Sequence, residues 1–217
     1  MGYDTVIFDL DGTLLNTLED LADSVNFAME SCGFPVRTLD EVRSFVGNGI
    51  GLLIRRSVPE GTDEGEFSKA FEIFTSHYQK YCRVKTRPYD GIMEVLKILK
   101  ERNVKMAVVS NKVDFAVKEL CQYFFRDYIE VAVGECENVR RKPAPDSVNK
   151  ALDRLGSNKE NSVYVGDSEV DIRTAQNAEM DCISVSWGFK GREYLENNGA
   201  DIIIDSPKEL LGFFNTY

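Results

Sequence analysis

Two carboxylates two residues apart, Asp9 and Asp11, close an apolar run that reads Thr5-Val6-Ile7-Phe8. The run predicts a buried strand, and ionised acids at a buried strand tip are costly unless something pairs with them. Residues at this spacing point to the same side of a strand, so the pair repels itself, and a divalent cation is the natural partner. Gly12 permits a tight turn, and Thr13 adds a hydroxyl and a backbone N–H.

Other polar groups follow apolar runs in the same way. Ser110, Asn111 and Lys112 follow the run at 105–109, Gly166, Asp167, Ser168 and Asp171 follow that at 162–165, and Lys142-Pro143 precedes a helical segment. Open parallel sheets bind ligands at the carboxyl ends of their strands, where these groups would meet. Asp9, Asp11 and Asp167 are the oxygen donors expected to hold Mg²⁺. Lys142, Ser110, Asn111 and the main-chain N–H groups of Gly12 and Thr13 suit phosphoryl oxygens. A carboxylate can attack phosphorus, and a second can protonate the leaving oxygen and then activate water. Each group also has a plainer reading: turn caps for Asp9, Asp11, Ser110 and Asn111, a solvated charge run at 140–142, and dipole-favoured acids at a helix start for Asp167 and Asp171.

The elements that must position these residues follow from periodicity. Leu18, Leu21, Ala22, Val25, Ala28, Met29 and Cys32 form one helical face, ended by Gly33 and Pro35. Helices are expected at 39–46, 52–58 and 67–81, with a flexible break at 47–51 and no strand between 16 and 87. The stripe Phe67, Phe71, Phe74, Tyr78 and Tyr81 reads as a helical core, and His77, off that stripe, as a surface residue. From 88 onward the pattern alternates, with helices at 91–102, 115–124, 145–155, 170–178 and 207–214 and strands at 105–110, 128–133, 162–166, 182–185 and 202–204. This is an α/β chain with a mostly parallel, Rossmann-like sheet. Residues 1–15 plus 88–217 would form the α/β core, and 16–87 an inserted small helical bundle.

The 217 residues are 43% hydrophobic and 29% charged, with a formal net charge of −10. That balance argues against nucleic acid and anionic membrane as partners and requires local cations for an anionic substrate. Five scattered cysteines with no C-x-x-C pair suggest reduced thiols in the cytoplasm rather than disulfides or zinc. No run is long enough for a membrane span, and the N-terminus lacks a signal-peptide pattern. A monomer or a homodimer is expected.

In order and spacing, Asp9-Leu10-Asp11-Gly12-Thr13-Leu14, Val108-Val109-Ser110-Asn111, Lys142-Pro143 and Val165-Gly166-Asp167-Ser168 through Asp171 resemble the four motifs of the haloacid dehalogenase-like hydrolase superfamily. The resemblance implies that Asp9 is nucleophile and metal ligand and that Asp11 is the general acid/base, with its carbonyl on the metal. Ser110 and Lys142 would bind phosphoryl, Asp167 would ligate Mg²⁺, and Asp171 would orient Lys142 or a metal-bound water. The helical segment resembles the cap of one large subgroup, in which Asn48, Gly49 and Arg55 or Arg56 are substrate-contact candidates. Asp11 and Thr13 favour phosphatases over dehalogenases, phosphonate hydrolases and sugar phosphomutases.

Residues 45–49, 87–91, 110–112 and 187–189 with 199–201 are similar to phosphoglycolate phosphatases, although Asp90 and Ser110 replace the usual Pro and Thr. The substrate expected is a small anionic phosphorylated metabolite, 2-phosphoglycolate first. Pyrophosphate and nucleoside monophosphates are alternatives, with a sugar phosphomutase or a non-catalytic phosphometabolite-binding module more remote.

Overall fold

The computed structural model describes residues 2–137 and 139–214. The chain divides into two compact units, Met1–Leu15 with Pro88–Tyr217, and Asn16–Arg87.

The first unit is built on a six-stranded sheet. Its strands are β1 (Thr5–Phe8), β4 (Lys105–Val113), β5 (Val131–Glu135), β6 (Ser162–Gly166), β7 (Asp181–Val185) and β8 (Ile202–Ile204). Their order is β5-β4-β1-β6-β7-β8, and all five pairings are parallel. Parallel neighbours need crossovers, and helices supply most of them. These are α5 (Ile92–Glu101), α6 (Asp114–Phe124), α7 (Asp146–Leu155), α8 (Glu169–Asn177) and α9 (Arg192–Asn197). β1 is buried along its whole length, as a central strand covered on both faces must be. One apolar cluster joins Ile7, Val109, Val133, Val148 and Tyr164.

In the second unit, α1 (Leu18–Ser31), α2 (Leu39–Phe45), α3 (Ile50–Ser57) and α4 (Glu64–Tyr81) form a small bundle in which α1 packs on α4. Buried Asp20 ties down the end of this unit by accepting from the main-chain N–H groups of Lys85 and Thr86 at 2.8–3.1 Å. Where the chain crosses between the units, two short strands pair, β2 (Leu15–Asn16) and β3 (Arg87–Pro88).

Several expectations need correction. The strand expected at 105–110 continues to Val113 through a register shift, because Asn111 and Lys112 are buried rather than released into a turn. The strand expected from 128 starts at Val131, after a turn. The closing helix is a 3₁₀ segment, Pro207–Phe213, and the short, polar α9 carried too little periodicity to be seen. β2 and β3 bring strands to the edges of the helical segment, where none was expected. Tyr81 is 48% exposed, so the aromatic stripe of α4 is buried only at Phe74 and Tyr78. His77 is half-buried rather than a surface residue, stacked on Phe27 and against Tyr81, with Nδ1 3.0 Å from Ser24 Oγ. All five cysteines are free thiols. Among the described residues no helix is long and apolar enough to cross a membrane.

Candidate active site

β1 stops at Phe8, so Asp9 and Asp11 lie just past its end and find different partners. The main-chain N–H of Asp9 still donates to Val165 O at 2.8 Å, continuing the β1–β6 direction by one residue. Its carboxylate turns inward, and Oδ1 accepts from Lys142 Nζ at 2.6 Å. The carboxylate of Asp11 takes both oxygens to Lys112 Nζ, at 2.9 and 3.0 Å. Gly12 then turns the chain with φ of 90°, a left-handed conformation that favours glycine. A Cβ there would also lie 2.4 Å from Asp167 Oδ2, so position 12 admits no side chain.

Lys142 is the centre of the buried network. Its ammonium donates to Asp9 Oδ1 (2.6 Å), Asp171 Oδ1 (2.8 Å) and the Tyr164 hydroxyl (3.0 Å). Its main chain is clamped by Asn111, whose Oδ1 accepts from Lys142 N at 2.7 Å and whose Nδ2 donates to Lys142 O at 3.1 Å. Asn111, expected among the phosphate binders, thus serves in this structure to fix the loop that carries Lys142. Ser110 Oγ accepts from Lys112 N at 3.2 Å.

Asp171 is saturated. Oδ1 accepts from Lys142 and Tyr164, and Oδ2 accepts from both the N–H and the hydroxyl of Ser168, forming a capping box at the start of α8. Asp167 Oδ2 accepts from Phe189 N at 2.7 Å. The neighbouring Trp187 donates its indole N–H to Thr13 O at 3.0 Å. The loop after β7 therefore supports both acidic motifs, and Gly188 is what allows its approach, since a Cβ there would sit 2.3 Å from Asp167 Cβ.

Burial sets the electrostatics. Desolvation pushes Asp9 up to about 7, with Lys142 opposing the rise and Asp171 adding to it. Burial, then repulsion from Asp171 and Asp9, holds Asp167 well above the usual carboxylate range. Burial alone would lower Lys142, but Asp171 and Asp9 raise it well above the ordinary lysine value, so it stays an ammonium. Tyr164 is likewise raised by burial and by Asp171, so its hydroxyl keeps its proton.

One ammonium does not balance this many buried acids. Carboxylate oxygens of Asp9, Asp167 and Asp171 lie within 4.8 Å of one another. The donor set is all oxygen, which suits a hard divalent cation, and such an ion would let Asp9 and Asp167 ionise together. Because the oxygens of Asp171 are engaged, Asp9 and Asp167 are the carboxylates that fit it. The Asp11 carboxyl, expected in the metal set, is instead held by Lys112. Buried Thr13 Oγ1 has no protein partner, which leaves a donor for a bound anion.

Asn48, Gly49 and Arg55 lie in the other unit. Gly49 precedes α3, and Arg55 bonds both Glu64 oxygens at 2.8 Å with its guanidinium 3.6 Å from the Phe67 ring centre. Sequence reasoning did not assign roles to Tyr164, Lys112, Trp187 or Phe189. An apolar strand hid the first, while Lys112 carried a signal as a charge next to a strand end.

The family model for haloacid dehalogenase-like hydrolases matches residues 6–185. The chain belongs to that family. It is a hydrolase of the phosphoglycolate phosphatase-like group, acting on phosphoric monoesters. This hydrolase is 33% identical over 223 residues to a phosphoglycolate phosphatase of Psychrobacter arcticus, with 99% of this chain and 94% of that protein covered. A phosphoglycolate phosphatase of Pseudomonas syringae pv. syringae is 32% identical over 214 residues, which cover 95% of this chain and 78% of the relative. A crystal structure from Lactobacillus delbrueckii subsp. bulgaricus, provisionally named a phosphoglycolate phosphatase, matches with a TM-score of 0.92 and 36% identity over 97% of each chain.

Proposed function

We propose that this hydrolase is a Mg²⁺-dependent phosphatase that cleaves 2-phosphoglycolate through an aspartyl-phosphate on Asp9. The observation that carries the reading is a buried Asp9 whose Oδ1 is fixed by Lys142, with Asp167 beside it. A carboxylate in that position is held still for in-line attack.

An Asp9 oxygen bonds to phosphorus as the bond from phosphorus to the leaving oxygen breaks, and Asp11 gives that oxygen its proton. Water then attacks the aspartyl-phosphate, Asp11 takes the proton back, and phosphate leaves with Asp9 regenerated. Lys142, Ser110 and the Thr13 hydroxyl bind the phosphoryl oxygens, whereas the N–H groups of Gly12 and Thr13, expected in that role, already donate to Leu15 O at 2.9 Å and Leu10 O at 3.4 Å. Asp171 orients Lys142. For its part Asp11 must exchange Lys112 for the leaving group. Mg²⁺ held by Asp9 and Asp167 would supply charge neutralisation between nucleophile and phosphoryl group. The helical unit would serve as the cap, with Asn48, Gly49 and either Arg55 or Arg56 as its substrate-contact candidates; Arg55 is engaged by Glu64.

The names of the relatives support 2-phosphoglycolate as substrate. The test is a panel of phosphomonoesters, nucleoside monophosphates and pyrophosphate, run with Mg²⁺ and with chelator. 2-Phosphoglycolate should give the highest kcat/KM, chelator should stop turnover, and Asp9→Asn should cost at least about 10³-fold. Preferential turnover of pyrophosphate would overturn the substrate, and undiminished rates in Asp9→Asn would overturn the mechanism.

A further inference from the structure

A lysine ammonium has three N–H donors, and those of Lys142 find three oxygens: Asp9 Oδ1, Asp171 Oδ1 and the Tyr164 hydroxyl. The third partner is unlike the other two. Tyr164 is on β6, three residues before Asp167, and is fully buried with its ring in the apolar cluster under the sheet. Its hydroxyl accepts from Lys142 and donates to Asp171 Oδ1 at 3.0 Å. Lys142, Tyr164 and Asp171 therefore close a triangle of hydrogen bonds, each leg between 2.8 and 3.0 Å.

We propose that Tyr164 is a positioning residue for the reaction, one of two permanent legs on which Lys142 stands while its third leg moves from Asp9 to the phosphoryl group. This rests on Asp9 being the nucleophile. Once Asp9 is committed to phosphorus, its hold on the ammonium weakens, and the donor that faced it is released to the phosphoryl oxygens. The other two donors must stay in place, or Lys142 follows the third and loses its aim.

Asp171 can hold one of them. Its four acceptor positions are filled by Lys142, Tyr164 and Ser168, so it has no further lone pair for the last donor. Tyr164 supplies that acceptor, and by donating to Asp171 it keeps its own lone pair directed at Nζ. A neutral hydroxyl does this without adding another buried negative charge to Asp9, Asp167 and Asp171. Phenylalanine would fill the same core space and leave one ammonium N–H buried without an acceptor.

The interaction matters most where charge is being moved, so it should act on turnover more than on substrate binding. Tyr164→Phe should lower kcat about tenfold, with KM changed less than twofold and Tm within a few degrees of wild type. That drop corresponds to about 1.4 kcal/mol of transition-state stabilisation. Asp171→Asn and the double variant complete a cycle. Because both residues hold the same ammonium, the double variant should lose clearly less than the product of the single losses.

Asp9→Asn is measured alongside. If Asp9→Asn is inactive and Tyr164→Phe keeps the wild-type kcat, or changes only Tm or only KM, the positioning role is overturned while the nucleophile stands. Strictly multiplicative losses in the cycle overturn it as well. If Asp9→Asn remains active, the underlying mechanism has failed instead.

Discussion

Chelating divalent metal should make the fold lose stability as pH rises through the acid range, and Asp9→Asn should remove the part of that loss that Asp9 contributes, leaving the part due to Asp167, which burial also holds well above the usual carboxylate range. Asp9 is 6% exposed, and its carboxyl is displaced from 3.8 to about 7, by burial first, against the pull of Lys142 and with the repulsion of Asp171. Between those two values the folded protein keeps a proton that the unfolded chain has released. Protons bound by the folded state exceed those bound by the unfolded state, so stability is greatest below the lower value and falls as pH climbs towards the upper one. A displacement of about three pH units, at 1.36 kcal/mol each, is worth about 4 kcal/mol. For a chain of this length that is a drop in Tm on the order of 10 °C. The assay is a set of thermal melts in chelator between pH 4.5 and 7.5, wild type against Asp9→Asn. The amide has nearly the same shape and does not titrate, so its Tm advantage should grow across that interval by about 10 °C. Saturating Mg²⁺ at pH 7.5 should restore the wild type by binding the folded state. Parallel melting curves for the two proteins would refute the electrostatic argument.

Three other perturbations test separate parts of the structure. Lys112→Met removes the buried partner of Asp11 and should lower kcat roughly 10- to 100-fold in steady-state assays, with the expected loss greatest for substrates whose leaving oxygen most needs a proton. Gly188→Ala drives a methyl group to 2.4 Å from Asp167 Oδ2 and 2.5 Å from Gly12 O, so calorimetric titration with Mg²⁺ should show weaker affinity together with a lower Tm. In the helical unit, Asp20→Ala strands the N–H groups of Lys85 and Thr86 and should cost about 2–4 kcal/mol in denaturant unfolding, a loss that Asp20→Asn recovers in part.

Much of the fold was legible because its cues are local. The period of three and four from Leu18 to Met29 and the apolar run from Val6 to Phe8 state their secondary structure through near neighbours alone. Chain order then makes a parallel sheet the economical arrangement, since each strand is followed by a crossover. The grouping of Asp9, Lys142, Asp167 and Asp171 was legible for a related reason: all stand at or just beyond strand ends or at helix starts, which parallel topology gathers on one edge. Local cues failed where burial, not pattern, decides. Asn111 and Lys112 look like turn residues, yet they extend β4. His77 looks like a solvated position, yet it is half-buried between the rings of Phe27 and Tyr81.

The amino-acid sequence alone determined the α/β fold class, and it showed which residue types stand at the strand ends and helix starts, because periodicity and residue type are properties of short stretches. Tertiary structure decided who bonds to whom. Asp9 takes Lys142 while Asp11 takes Lys112, Asn111 holds a backbone instead of standing open to a ligand, and the hydroxyl of Tyr164 completes the ammonium's third contact. Those pairings join residues 22 to 133 positions apart, and hydrogen-bond geometry selects among them only once strand order and register have set the distances.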